Sequence, residues 1–197
     1  KNFILIAEPW SFRGRLPNTM HETTYAFWSD QCREQVLSLV KEGRGLQQII
    51  QLLTGRLDSH EQPWQSINYI ESHDDYSFVD RIFDGEKKDA SKFADDIIKM
   101  NRLAIFIILF SPGVPMISAG QDFMRNKKGV RNTYKRGDLN ALKYEDLNYY
   151  SELNLDVRQM INFRLSEEGM FLRPKKMGDC LYNVYEDFPE GTIGLEI

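Results

Sequence analysis

Two cysteines, Cys32 and Cys180, are the only thiols in a chain of 197 residues. They are too few for a disulfide framework and have no metal-ligand spacing. Cys32 falls on the apolar face of a predicted helix, where a cysteine is normally buried. There are three histidines, His21, His60 and His73. A metal-dependent phosphohydrolase built on the His73-Asp74 dyad would need more ligands than that, and His21 and His60 sit in loop-like, solvated sequence. Neither sign of charge prevails: a net charge of -4 gives nucleic-acid binding no electrostatic support. Long apolar runs are absent as well. The strongest, Leu103 to Phe110, is eight residues, whereas a bilayer span needs about 20. No signal-peptide pattern is visible, no membrane partner is expected, and the compartment stays open.

What remains has the composition of an ordinary globular chain, 42% hydrophobic. The length suits one large domain or one and a half small ones. The first residue is Lys1, followed at once by an apolar run. The last residues, Gly191 to Ile197, read as a strand stopped midway. We expect both ends to be cuts through structure, with a trimmed expression product as the alternative.

Phe3 to Ala7 is continuously apolar, as expected for a strand buried on both faces of a parallel sheet, and Pro9 stops it. Residues 11–29 are loop-like, with Tyr25 to Trp28 a candidate second strand. Ser29 or Asp30 caps a helix carrying Cys32, Val36, Leu39 and Val40, which stops near Gly43. A further helix carries Leu46, Ile49, Ile50 and Leu53. Ile67 to Asp75 starts as a strand and ends in a cluster of polar groups, Glu71, Ser72, His73, Asp74 and Asp75. A polar connection over 84–91 leads into a long helix over 92–109. Val114 to Ser118 forms a short strand, and 124–142 is a long loop. Loops of that length are functional or disordered. Its basic run, Arg125 to Arg136, is read as solvated. A last amphipathic helix carries Leu153, Val157, Met160, Ile161 and Leu165. Beyond Gly169 the texture turns to short strands separated by Gly and Pro.

Alternating strands and helices imply a parallel α/β sheet. A complete (β/α)8 TIM barrel takes about 250 residues. The sequence therefore predicts a half-barrel over residues 1–169, with the start of a C-terminal β-sandwich domain over 170–197. Glu8 and Asp74 lie just past the carboxyl ends of two strands, the rim where barrel active sites form. Paired carboxylates flanking a bond are the machinery of glycoside hydrolysis. The leaving oxygen needs a proton, and the cationic transition state needs a nearby anion. Trp10, Trp28, Tyr76 and Tyr134 offer faces for sugar rings. The alternatives are core packing for the tryptophans and an ordinary polar loop for 71–75.

Three motifs in order carry a resemblance. Ile4-Leu5-Ile6-Ala7-Glu8-Pro9-Trp10 resembles the strand-5 motif of α-amylase-type glycoside hydrolases. Asn68 to Asp74 resembles their strand-7 motif, and Pro115 to Phe123 their strand-8 motif. Glu-Pro-Trp, Glu-Ser-His-Asp and Arg131-Asn132-Thr133-Tyr134 are similar to pullulanase and isoamylase-type debranching enzymes in particular. The resemblance implies Glu8 as general acid/base, Asp74 as transition-state stabiliser and His73 as a hydrogen-bond donor to the sugar. Arg125, Asn132 and Tyr134, on the loop after strand 8, would be secondary sugar contacts; Trp10 and Asp75 are further substrate-binding candidates read from the residues themselves. The resemblance also implies an α-glucan oligosaccharide or polysaccharide as partner and no cofactor, calcium being left open. Two departures stand out. The family's nucleophile, an aspartate ending strand 4, would precede Lys1, so the isolated chain is expected to be inactive. Asp75 replaces the usual Asn, and a second carboxylate beside Asp74 would raise the pKa of one of the pair. A non-catalytic carbohydrate-binding protein on a degenerate barrel is the alternative. Self-association through the Phe3 to Ala7 edge is also expected.

Overall fold

The computed structural model describes residues 3–11, 13–15, 22–56, 62–84, 95–176, 179, 183–185, 192 and 194–196. His21, His60, Cys180 and most of the 84–91 connection lie outside them.

Among the described residues, four strands form one parallel sheet: β1 (Leu5–Ala7), β4 (Tyr25–Ser29), β5 (Ser66–Tyr69) and β6 (Val114–Met116), in that order. Between the first two lies a small antiparallel ribbon, β2 (Trp10–Ser11) and β3 (Gly14–Arg15). Register runs across the sheet: Ala7 lies beside Phe27, and Phe27 beside Ser66. Asn68 bridges Ser29 on one side and Pro115 on the other. Every strand therefore points its carboxyl end at the same rim, and Pro115, with no N–H to give, occupies an edge strand where the donor is not missed.

β1 differs from its expectation of burial on both faces. Phe3 is 82% exposed and Ile4 75%, and Leu5 and Ile6 are also exposed. The reason is position: β1 has one strand neighbour among the described residues, β4, and stands at the sheet's other edge.

Ser29 sits in extended conformation and its hydroxyl accepts the Cys32 N–H at 3.0 Å, which starts α1 (Asp30–Glu42) and makes Ser29, of the two candidates Ser29 and Asp30, the cap. Gly43, at φ +66, ends it. α1, α2 (Leu46–Leu53), α3 (Phe78–Ile82), α4 (Asp95–Leu109) and a later long helix, Ser151–Leu165, share one apolar core with Ile70. Cys32 is buried in it. α4 is apolar on most of its faces because it meets α1 on one side and the last helix on another.

The long loop of 124–142 contains structure of its own. A 3-10 turn at Thr133–Lys135 leads into α5 (Gly137–Asn140). α6 (Asp146–Tyr149) and α7 (Ser151–Leu165) follow. Past the helices, β7 (Asn183–Tyr185) pairs antiparallel with β8 (Gly194–Glu196).

Candidate active site

The carboxyl rim of the sheet brings together part of the set that the sequence singled out: Glu8, Trp10, Trp28, His73 and Asp74. Glu8 stands exposed one residue past β1. Trp10 then turns back so that its indole meets Trp28 of β4 edge-on, with ring centroids 5.9 Å apart. Trp28 in turn contacts Tyr69 at 5.4 Å and the His73 ring at 5.8 Å. His73 Nε2 lies 3.6 Å from an Asp74 carboxylate oxygen. A continuous row of side chains, Trp10, Trp28, His73 and Asp74, thus runs from the end of β1 to the segment after β5. The intervening strand sets the backbones of β1 and β5 about 10 Å apart, two strand spacings. Both His73 and Asp74 remain open to solvent, with side chains 67% and 49% exposed. Trp10 and Trp28 combine the two readings left open above: each packs on another ring, and each is only half-buried.

Beneath this rim lies a charged layer. Glu71 is buried; its Oε2 accepts the Phe78 N–H at 2.8 Å, and its Oε1 lies 3.4 Å from the Arg125 guanidinium. Burial pushes the Glu71 carboxyl above its ordinary range, with the Phe78 N–H and Arg125 opposing. Arg125 reaches Glu71 across Gly120. A Cβ built on that glycine, at φ +91, would come within 2.9 Å of Arg125 Cβ. The Arg125 guanidinium also donates to Asn140 Oδ1 at 3.2 Å, so this side chain is turned inward. Tyr69, buried on β5, donates its hydroxyl to Asp30 at 2.7 Å and receives a bond from Arg33 at 3.0 Å.

Asp75 pairs with Arg131 at 2.5 Å through one carboxylate oxygen and with Arg81 through the other. The second carboxylate beside Asp74 is therefore matched by two guanidiniums. Asp75 lies at φ +57, and its N–H donates to Asn132 Oδ1 at 2.7 Å. Asn132 thus faces the Asp75 backbone. Tyr134 is 78% exposed and its ring lies against the Lys135 ammonium. No contact among the described residues joins Tyr134 to the row of rings. The basic run is not uniformly solvated, contrary to expectation. Lys127 is fully buried, and its ammonium donates to backbone carbonyls of the 73–75 segment. Lys127, Arg81 and the buried role of Glu71 escaped the sequence reading. The available signal was charge complementarity between the acidic 71–75 stretch and the cations at 125, 127 and 131.

Among the described residues no group of three His, Cys, Asp or Glu side chains is arranged to hold a metal ion. No described helix is long and apolar enough to cross a membrane.

No family model matches the chain. Curated relatives do. It is 36% identical to a pullulanase of Bacillus subtilis over 115 residues, 57% of this chain and 15% of that protein. It is 28% identical to a glycogen debranching enzyme of Pectobacterium carotovorum over 177 residues, 73% of this chain and 27% of that enzyme. Plant isoamylases match as well. Among solved structures, the fold superimposes on pullulanase type I from Bacillus subtilis, complexed with maltose, with a TM-score of 0.78 and 26% identity. That superposition covers 92% of this chain and 29% of the other. The resemblance to debranching enzymes of the α-amylase type therefore stands on whole-chain comparison as well as on motifs. The chain spans less than a third of the length of each of these proteins.

Proposed function

We propose that this chain is the C-terminal half of the catalytic barrel of a retaining α-glucan hydrolase of the pullulanase or debranching type, acting on O-glycosidic bonds. The observation that carries the reading is the row Trp10, Trp28 and His73. It ties the strand end bearing Glu8 to the segment bearing Asp74, on the rim where a parallel barrel holds its site. The maltose complex of the similar Bacillus subtilis pullulanase supports an α-glucan as the ligand class.

In this reading Glu8 gives its proton to the glycosidic oxygen as the C–O bond breaks. It later takes a proton from the water that releases the sugar. Asp74 stays ionised and faces the cationic anomeric carbon. His73 hydrogen-bonds a hydroxyl of the same ring, while the half-exposed Trp10 offers an apolar face. Asn132 and Tyr134 border the site from the following loop. Asp75 and Arg125, whose charges are met by protein partners, support that loop from below. The aspartate that would attack the anomeric carbon is supplied by residues outside this sequence.

The test uses pullulan and glycogen as substrates. The longer polypeptide that includes the upstream barrel should hydrolyse one of them. Its Glu8→Gln variant should lose about 10²- to 10⁴-fold in kcat. The purified 197-residue chain should show no turnover above buffer. Full activity in the Glu8→Gln variant, or clear hydrolysis by the isolated chain, would refute the reading.

A further inference from the structure

Asp74 is flanked by two carbonyl groups that point at the same buried cation. Lys127 Nζ donates to the carbonyl oxygen of His73 at 3.1 Å and to that of Asp75 at 3.2 Å. These are the residues on either side of Asp74. A fully buried ammonium is expensive to desolvate, and a methionine would fill the same space without the charge. The chain nevertheless places a lysine there and builds a frame around it. The Lys127 N–H donates to Asp80 Oδ2 at 2.6 Å, and the Gly129 N–H to Asp80 Oδ1 at 2.9 Å. Asp80 is itself buried at the start of α3, where the Ser77 hydroxyl donates to it at 2.6 Å. Desolvation holds the Lys127 ammonium below its ordinary pKa; Glu71, Asp80 and Asp74 act against that shift and Arg125 adds to it.

The backbone being held is strained. Asp75 adopts the left-handed conformation at φ +57, which a residue with a Cβ keeps only when its surroundings impose it. Three side chains do so besides Lys127: Asn132 on the N–H, and Arg131 and Arg81 on the carboxylate. The Asn132 N–H also donates to the Asp75 carbonyl at 3.2 Å. The Asp74 side chain, by contrast, is about half exposed, and its contact with His73 is at 3.6 Å. Its direction is thus set through its backbone.

We propose that Lys127 is a positioning residue for Asp74: by gripping the carbonyls on both sides, it aims that carboxylate at the bond to be cleaved. This rests on the reading of Asp74 given above. The loop after β6 then governs the transition-state contact, and sugar affinity depends little on Lys127.

Lys127→Met tests it in the longer, active polypeptide. The expected result is a loss of about 10²-fold in kcat with KM within about twofold, the signature of a misplaced transition-state contact. Lys99→Met, at an exposed position on α4, should leave both unchanged. A general loss of packing would give a similar fall in rate, so the deciding measurement is a double-mutant cycle with Asp74→Asn. If Lys127 acts through Asp74, adding Lys127→Met to Asp74→Asn costs less than about twofold; equal losses in both backgrounds overturn the proposal. Should Lys127→Met fail to fold, Lys127→Gln, whose shorter amide reaches one carbonyl at most, takes its place in the same cycle. Hydrogen exchange separates this idea from the functional reading. If Asp74→Asn leaves the rate intact, the functional reading falls. The clamp is then judged by the Asp75 amide in the 197-residue chain, which should exchange about tenfold faster in the variant. Unchanged exchange overturns the clamp as well.

Discussion

Glu71 puts the conflict between burial and charge at a single atom pair. The carboxyl lies under the rim with its pKa raised, chiefly by loss of water, while the Phe78 N–H and Arg125 act against the shift. Because its folded pKa lies above the unfolded one, the folded state binds more protons across that interval. Stability therefore falls as pH rises from about 4.5 through the raised folded value, and is flat in this respect below it. Glu71→Gln keeps an oxygen for the Phe78 N–H and removes the titration. The difference in Tm between the parent sequence and Glu71→Gln should shrink, or change sign, as pH is raised from 4 to 8. A difference independent of pH would show that Glu71 does not titrate differently on folding. The same carboxylate lies 3.4 Å from Arg125, whose backbone begins the loop that carries Lys127.

Elements with strong local signals were legible from the residues alone. α1 was read from Ser29 or Asp30 at its start, Gly43 at its end and an apolar face between them; Ser29 is the cap, and the end and the face are as expected. Ser29→Ala should remove the bond to the Cys32 N–H and lower stability by about 0.5–2 kcal/mol, measurable as a lower urea midpoint with an unchanged m-value. An unaltered midpoint would mean the cap contributes nothing. The parallel order of the strands was equally legible, because βα alternation leaves little choice. The β2–β3 ribbon was missed because two residues a side carry no periodicity. α3 was missed too, being five residues long, although Ser77 and Asp80 have the spacing of a helix start. The site divides in the same way. The acidic end of β5 was visible as four ionisable groups in one stretch. The support beneath it was not, since it joins segments about fifty positions apart, and no local pattern tells a buried lysine from a solvated one. The loop 124–142 was read only as functional or disordered, because much of its order comes from Asp75, Asp80 and Glu71, which precede it in the chain.

At the scale of the whole molecule, the parallel sheet ends on two strands with one neighbour each among the described residues. The two edges are unequal. β6 has Pro115, a residue with no N–H to donate, at its middle position. Beside it lies a cavity of about 750 Å³, lined by Trp64, Val114, Ile161 and Leu165 among others. β1 contains no proline, and Phe3, Ile4, Leu5 and Ile6 before and within it are all exposed. Apolar side chains beside an unpaired backbone ladder are a template for another strand. The 197-residue chain should therefore self-associate through β1, and its mass by light scattering should rise with concentration. A lysine at Ile6 would add a charge at that edge, where a second strand would have to cover it. Ile6→Lys should shift the association to at least about tenfold higher concentration, a change of about 1.4 kcal/mol per contact. The same substitution at Val114, on the proline-bearing edge, should shift it much less. A mass that stays monomeric across the whole concentration range would overturn the prediction. A shift of equal size from Val114→Lys would move the contact to both edges.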